Sequence, residues 1–177
     1  MTDQVLISKE RIEKRLKEIA IKISEDVSNE TIYMICVLKG SFIFTADLVR
    51  SLFEAGVKDI IIDFVEVDSN YADLGKIKSK PIIKRDIETD IKDKKVYLVE
   101  DIVDSGETLE LLIKHFQEKQ PQSLKTVSLL SKSSRRKVSI TVNYLGFEIP
   151  DVWVFGYGLD NDEKDRHYPE IMMRKID

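Results

Sequence analysis

Val96-Tyr97-Leu98-Val99-Glu100-Asp101-Ile102-Val103-Asp104-Ser105-Gly106-Glu107-Thr108-Leu109 is an apolar run that meets three carboxylates, a glycine turn and a helix start. A short continuous apolar run such as 96–99 is what a strand buried on both faces requires. Asp104-Ser105-Gly106 breaks it, and Leu109, Leu112, Ile113 and Phe116 then recur at helical spacing, ending near Pro121. The same alternation extends outward in both directions. Residues 8–27 carry Ile12, Leu16, Ile19, Ile23 and Val27 every three or four positions, the stripe of an amphipathic helix that caps the domain. Residues 32–38 read as a buried strand, broken by Gly40-Ser41, and 42–55 as a helix closed by Gly56. Residues 60–67 form the next strand, 68–80 a polar segment without period that reads as a mobile loop, and 125–130 a further strand. Short apolar strands alternating with helices predict an α/β chain with a doubly wound, mainly parallel central sheet flanked by helices. Ligands of such a sheet bind beyond the carboxyl ends of its strands.

The chain has 177 residues, 42% hydrophobic and 34% charged, which suits one domain over 1–177 around a single large core. The formal charge of -4 offers no basic face for a nucleic acid backbone, so an anionic small substrate must meet local cations. Cys36 is the only cysteine and lies in an apolar run, which excludes a disulfide framework or a cysteine-rich zinc site. No apolar run reaches signal-peptide or membrane-spanning length, so the expectation is a cytoplasmic protein without membrane contact.

The chemistry concentrates at the end of the 96–99 strand. Backbone N–H groups around Gly106, with the hydroxyls of Ser105 and Thr108, would converge on a phosphate at the positive end of the next helix, without any lysine. Glu100 and Asp101 are adjacent carboxylates that can accept hydrogen bonds from a ribose diol or hold a hydrated magnesium ion. A lone Asp-Ser-Gly turn is more often a helix cap. Three acids beside a phosphate-type turn favour a sugar phosphate.

This stretch closely resembles the signature of the type I phosphoribosyltransferases, in the form of their hypoxanthine-guanine branch. The resemblance implies that fold, with a small hood region, and transfer of the 5-phosphoribosyl group from phosphoribosyl pyrophosphate to N9 of hypoxanthine or guanine, with Mg2+. It implies that Glu100 and Asp101 hold the ribose hydroxyls directly or through magnesium. Asp104, Ser105, Gly106, Glu107 and Thr108 would wrap the 5-phosphate, and Asp104 would take the purine N7 proton. Leu38-Lys39-Gly40-Ser41 resembles the family's pyrophosphate loop, in which the Leu-Lys peptide is often cis, and Arg166 its pyrophosphate arginine. Lys132 resembles the lysine that donates to the purine O6, with Arg136 behind it. Residues 150–160, Pro-Asp-Val-Trp-Val-Phe-Gly-Tyr-Gly-Leu-Asp, resemble the base-binding segment. There Trp153 would stack on the base, the Val154 backbone would read its edge, and Asp160 would hold a second magnesium through water. Ser69 and Tyr71 are similar to the family's lid pair, offset by one residue. Association as a homodimer or homotetramer is also a family expectation.

Other classes have little support. No Gly-x-x-x-x-Gly-Lys-Ser/Thr or Gly-x-Gly-x-x-Gly follows a strand, and His115 and His167 lie on a helix and in a charged segment. A phosphoribosyltransferase-like regulator without activity would need a basic face or an added nucleic-acid module. A shift of base to xanthine would leave little trace in side chains, since backbone groups do much of that discrimination.

Overall fold

In the computed structural model, residues 2–27, 30–68 and 80–175 are described. The lid candidates Ser69 and Tyr71, and most of the 68–80 loop, lie outside them.

Six strands form the central sheet: β2 (Ile32–Leu38), β3 (Ile60–Asp68), β4 (Ile82–Arg85), β5 (Lys95–Val103), β6 (Ser123–Ser131) and β7 (Tyr144–Glu148). Their order is β4-β3-β2-β5-β6-β7, with every pair parallel except β3–β4. This is the doubly wound, mainly parallel sheet that the alternating pattern predicts. The helices α1 (Lys9–Asp26) and α2 (Phe42–Glu54) pack on one face, and α3 (Glu107–Glu118) on the other. The central strands are apolar along their length because both faces are covered: Met34, Tyr97, Val99 and Val127 face α1 and α2, whereas Ile35, Val96 and Leu98 face α3.

The predicted stripe of α1 is its buried side, with Ile12, Leu16, Ile19 and Ile23 almost inaccessible. The opposite side is charged, and Arg15 reaches across to donate to the carbonyls of Leu145 and Gly146 at 2.8 Å each, tying α1 to β7. Five strands have no counterpart among those expected from the sequence: β1 (Thr2–Ile7), β4, β7, β8 (Trp153–Phe155) and β9 (Ile171–Lys175). Three of them, β1, β8 and β9, form a second, antiparallel sheet ordered β1-β9-β8. This small sheet is the hood. It joins the two ends of the chain, a pairing too distant in sequence for any local pattern to announce.

Candidate active site

The strand β5 continues four residues beyond the predicted 96–99, so Glu100 and Asp101 stand within its ladder rather than past its end. The two carboxyl groups lie close enough to meet, and the charge of each bears on the other. Glu100 is 7% exposed, and its Oε2 is buried without a hydrogen-bond partner. Burial, reinforced by the charge of Asp101, pushes the Glu100 carboxyl well above the usual range. Asp101 accepts a hydrogen bond from the N–H of Ile102 at 2.8 Å. Its carboxylate also lies against Gly40, where a Cβ would come within 1.7 Å of Oδ2. Glycine at 40 is thus required by an acid of the protein itself as well as by any incoming anion. The Leu38–Lys39 peptide that leads into Gly40 is cis.

A second close approach completes the stack. A Cβ at Gly158 would sit 2.1 Å from the carbonyl oxygen of Gly40. Asp101, Gly40 and Gly158, from three separate segments, therefore lie in contact. The loop after β8 is held by Arg166, which donates to the Gly158 carbonyl at 2.8 Å and pairs with Asp160 at 3.2 Å. Lys39 reaches the same loop through Glu163, at 3.1 Å, so Lys39, Asp160, Glu163 and Arg166 form one charged cluster. Glu163, at φ +62°, was not singled out from sequence; it lay hidden in a charge run that reads as solvated surface.

Beyond the tip of β5, Gly106 takes φ +88° as the N-cap of α3, turning the backbone of Ser105 to Thr108 into the helix start. Asp104 is paired with Arg135, whose Nε lies 2.6 Å from Oδ1 and which also reaches Asp151 at 3.1 Å. Arg135, inside a basic run that looks like solvated surface, is thus the cation on Asp104, not the Arg136 expected behind Lys132. In the structure Arg136 serves the backbone, donating to the Asp104 carbonyl at 2.9 Å and to the Ser131 hydroxyl at 3.1 Å. Lys132 is 7% exposed, and its N–H donates to the Val103 carbonyl at 3.0 Å, fixing it beside Asp104. Burial draws its ammonium below the ordinary lysine range, opposed by the charges of Asp104 and Asp151. A basic turn facing water would show neither feature.

Trp153 is 51% exposed at the start of β8, while Val154 beside it is buried. A core tryptophan is therefore excluded, and an open aromatic face is presented at the hood. His115 pairs with Asp86 at 2.8 Å, away from these groups, which leaves it a structural residue.

These acids, glycines and cations are the features of one family. Residues 2–162 match the phosphoribosyl transferase domain, and the chain belongs to that family. Among its relatives, the hypoxanthine-guanine phosphoribosyltransferase of Aquifex aeolicus is 40% identical over 174 residues, covering 96% of this chain and 93% of that protein. The enzyme of the same name from Bacillus subtilis is 36% identical, covering 98% and 93%. A crystal structure of a hypoxanthine-guanine phosphoribosyltransferase from Bacillus anthracis, with a HEPES molecule in its active site, superposes with a TM-score of 0.85 at 44% identity, covering 96% and 95% of the two chains. The hypoxanthine phosphoribosyltransferase of Trypanosoma cruzi, in complex with the product IMP, gives 0.86 at 35% identity, covering 96% and 92%.

Proposed function

We propose that this chain transfers the 5-phosphoribosyl group of phosphoribosyl pyrophosphate to N9 of hypoxanthine or guanine, forming IMP or GMP and pyrophosphate in purine salvage. The observation that carries this reading is the contact of Asp101, Gly40 and Gly158, which brings the segments assigned to ribose, pyrophosphate and base to one place. The turn from Asp104 to Thr108 would hold the 5-phosphate on backbone N–H groups and the hydroxyls of Ser105 and Thr108. Lys39, Gly40 and Arg166 would face the leaving pyrophosphate. Trp153 would stack on the purine, and Lys132, a donor only, would select an oxo group over an amino group at the 6-position.

The donor set fits a magnesium ion. Glu100 Oε2 is a buried carboxyl oxygen without a partner next to a second carboxylate, and it is this burial and this neighbour that push the Glu100 carboxyl up, an arrangement a cation would relieve. Among the described residues no three His, Cys, Asp or Glu side chains gather to hold a metal by themselves. That suits an ion taking one or two carboxylates from the protein and the remaining oxygens from substrate and water. Glu100 and Asp101 would hold it, and Asp160, already engaged by Arg166 and the N–H of Glu163, would hold a second ion through water. An ion held there would supply positive charge that the leaving pyrophosphate needs.

Asp104 then has the proton to move. As N9 bonds to the anomeric carbon and the bond to pyrophosphate breaks, the N7 proton passes to an Asp104 carboxylate oxygen. Among the described residues no helix is long and apolar enough to cross a membrane, and we place the enzyme in the cytoplasm as a homodimer or homotetramer.

The test is nucleotide formation from hypoxanthine, guanine, xanthine and adenine in turn, with phosphoribosyl pyrophosphate and with or without magnesium. Magnesium-dependent product from hypoxanthine or guanine, and none from adenine, is expected. No product from any base would overturn the reading.

A further inference from the structure

We propose that Lys137 is a ligand of the substrate 5-phosphate, and that Glu107 is an internal anion which occupies the phosphate's place on Ser105 and Lys137 until substrate displaces it. This inference rests on the reading of the turn from Asp104 to Thr108 as the 5-phosphate subsite.

The start of α3 carries a mismatch of charge. Glu107 is the first residue of α3, in a turn that has to receive a dianion. Acids in the first turn of a helix commonly serve its dipole. Glu110, in the same turn, does so while pairing with Lys114 at 3.0 Å along the helix. Glu107 instead folds back onto the turn. Its Oε2 accepts a hydrogen bond from the Ser105 hydroxyl at 2.9 Å and lies 3.5 Å from Lys137 Nζ. A hydroxyl and an ammonium at a helix start are the donors a phosphate would use, and a carboxylate already sits on them.

Lys137 is not a passing surface lysine. Its own N–H donates to the Ser105 carbonyl at 3.0 Å. Arg136 holds the Asp104 carbonyl at 2.9 Å, and a Cβ at Gly106 would meet Val138 at 2.9 Å and Ile140 at 3.1 Å. Residues 136–140 thus run as a strap along Asp104, Ser105 and Gly106, and Lys137 is registered opposite the middle one. Its side chain is 52% exposed and that of Glu107 36%, so both can swing without burying an unpaired charge. On phosphate binding, the Ser105 hydroxyl and the Lys137 ammonium pass from Glu107 to the phosphate oxygens. No bond to carbon changes.

The two residues are therefore expected to act with opposite sign. Binding of ribose 5-phosphate to the full chain is measured by calorimetry for the wild type, Glu107→Gln and Lys137→Gln. Removing the competing charge should tighten binding, and removing the cation should weaken it. Each change should be roughly twofold to fivefold, the scale of one exposed ion pair. In steady-state assays the Michaelis constant for the base should stay unchanged in both variants, which a general loosening of the turn would not allow. Equal or weaker binding by Glu107→Gln, or unchanged binding by Lys137→Gln, overturns the proposal. A wild type that binds ribose 5-phosphate but forms no nucleotide would instead defeat the proposed activity and leave this inference standing.

Discussion

The backbone of Gly158 rests on the carbonyl of Gly40, so close that a Cβ at 158 would stand 2.1 Å from that oxygen. Gly158 also has φ +104°, a region that side chains rarely enter. Gly158→Ala is expected to lower stability by about 1–3 kcal/mol through overpacking and to raise the Michaelis constants of both substrates, because it drives the base segment off the pyrophosphate loop. Gly56, at φ +97° with nothing within 4 Å, is the control. Gly56→Ala should cost about 1–2 kcal/mol from backbone strain alone and leave the Michaelis constants where they were. Urea unfolding and steady-state kinetics on both variants separate the two effects.

Trp153 presents half its surface to solvent. Trp153→Ala should raise the Michaelis constant for the base by a factor equivalent to about 1–3 kcal/mol, as for other base-stacking aromatics. The constant for the ribose donor and the melting temperature should barely move. Equal effects on both substrates would remove the stacking role.

Asp104 is held by Arg135 and stands beside Lys132. Asp104→Asn preserves shape but cannot take the N7 proton, so turnover should fall by a factor of about 10² to 10⁴. Calorimetric binding of ribose 5-phosphate should persist, since the backbone of the turn is retained. Unchanged turnover would sink the assignment.

Asp63, buried in β3, accepts hydrogen bonds from the N–H groups of Phe64 at 2.7 Å, Glu88 at 2.9 Å and Thr89 at 2.8 Å. Burial alone would raise its carboxyl, but these hydrogen bonds outweigh burial and hold it below the ordinary range. A carboxyl lowered in the folded state binds its proton more weakly there than in the unfolded chain. Its stabilisation is therefore complete above the unfolded value of about 4 and is lost as pH falls through the folded value. Asp63→Asn should cost about 1–3 kcal/mol at neutral pH, and the gap from wild type should close as pH drops below about 4. Urea titrations at several pH values measure that gap. A gap independent of pH would show that the carboxylate charge is not what holds 86–90 in place.

Periodicity made the inner sheet legible. The apolar runs of β2, β5 and β6 and the stripes of α1 and α3 stand in the chain because burial on two faces, or on one stripe, demands them. The edges were less so. The strands β1, β4, β7, β8 and β9 are short or half-exposed, and their partners, such as Thr2 opposite Lys175, are joined only by the fold. The site divides the same way. Glu100, Asp101, Asp104 and the turn after them were readable because they are consecutive, whereas Arg135, Lys137 and Glu163 sat in charge runs that look like solvated surface.

By itself the sequence determined the parallel α/β architecture, the segment that carries the chemistry and the family it resembles, because these depend on local spacing and residue type. Only the tertiary structure decided that Gly40 lies between Asp101 and Gly158, that Trp153 is open while Lys132 is buried, and that Arg135 and Lys137 hold the acids of the site. Those relationships join residues tens of positions apart, and distance along a chain carries no information on contact until the sheet brings its strand ends together.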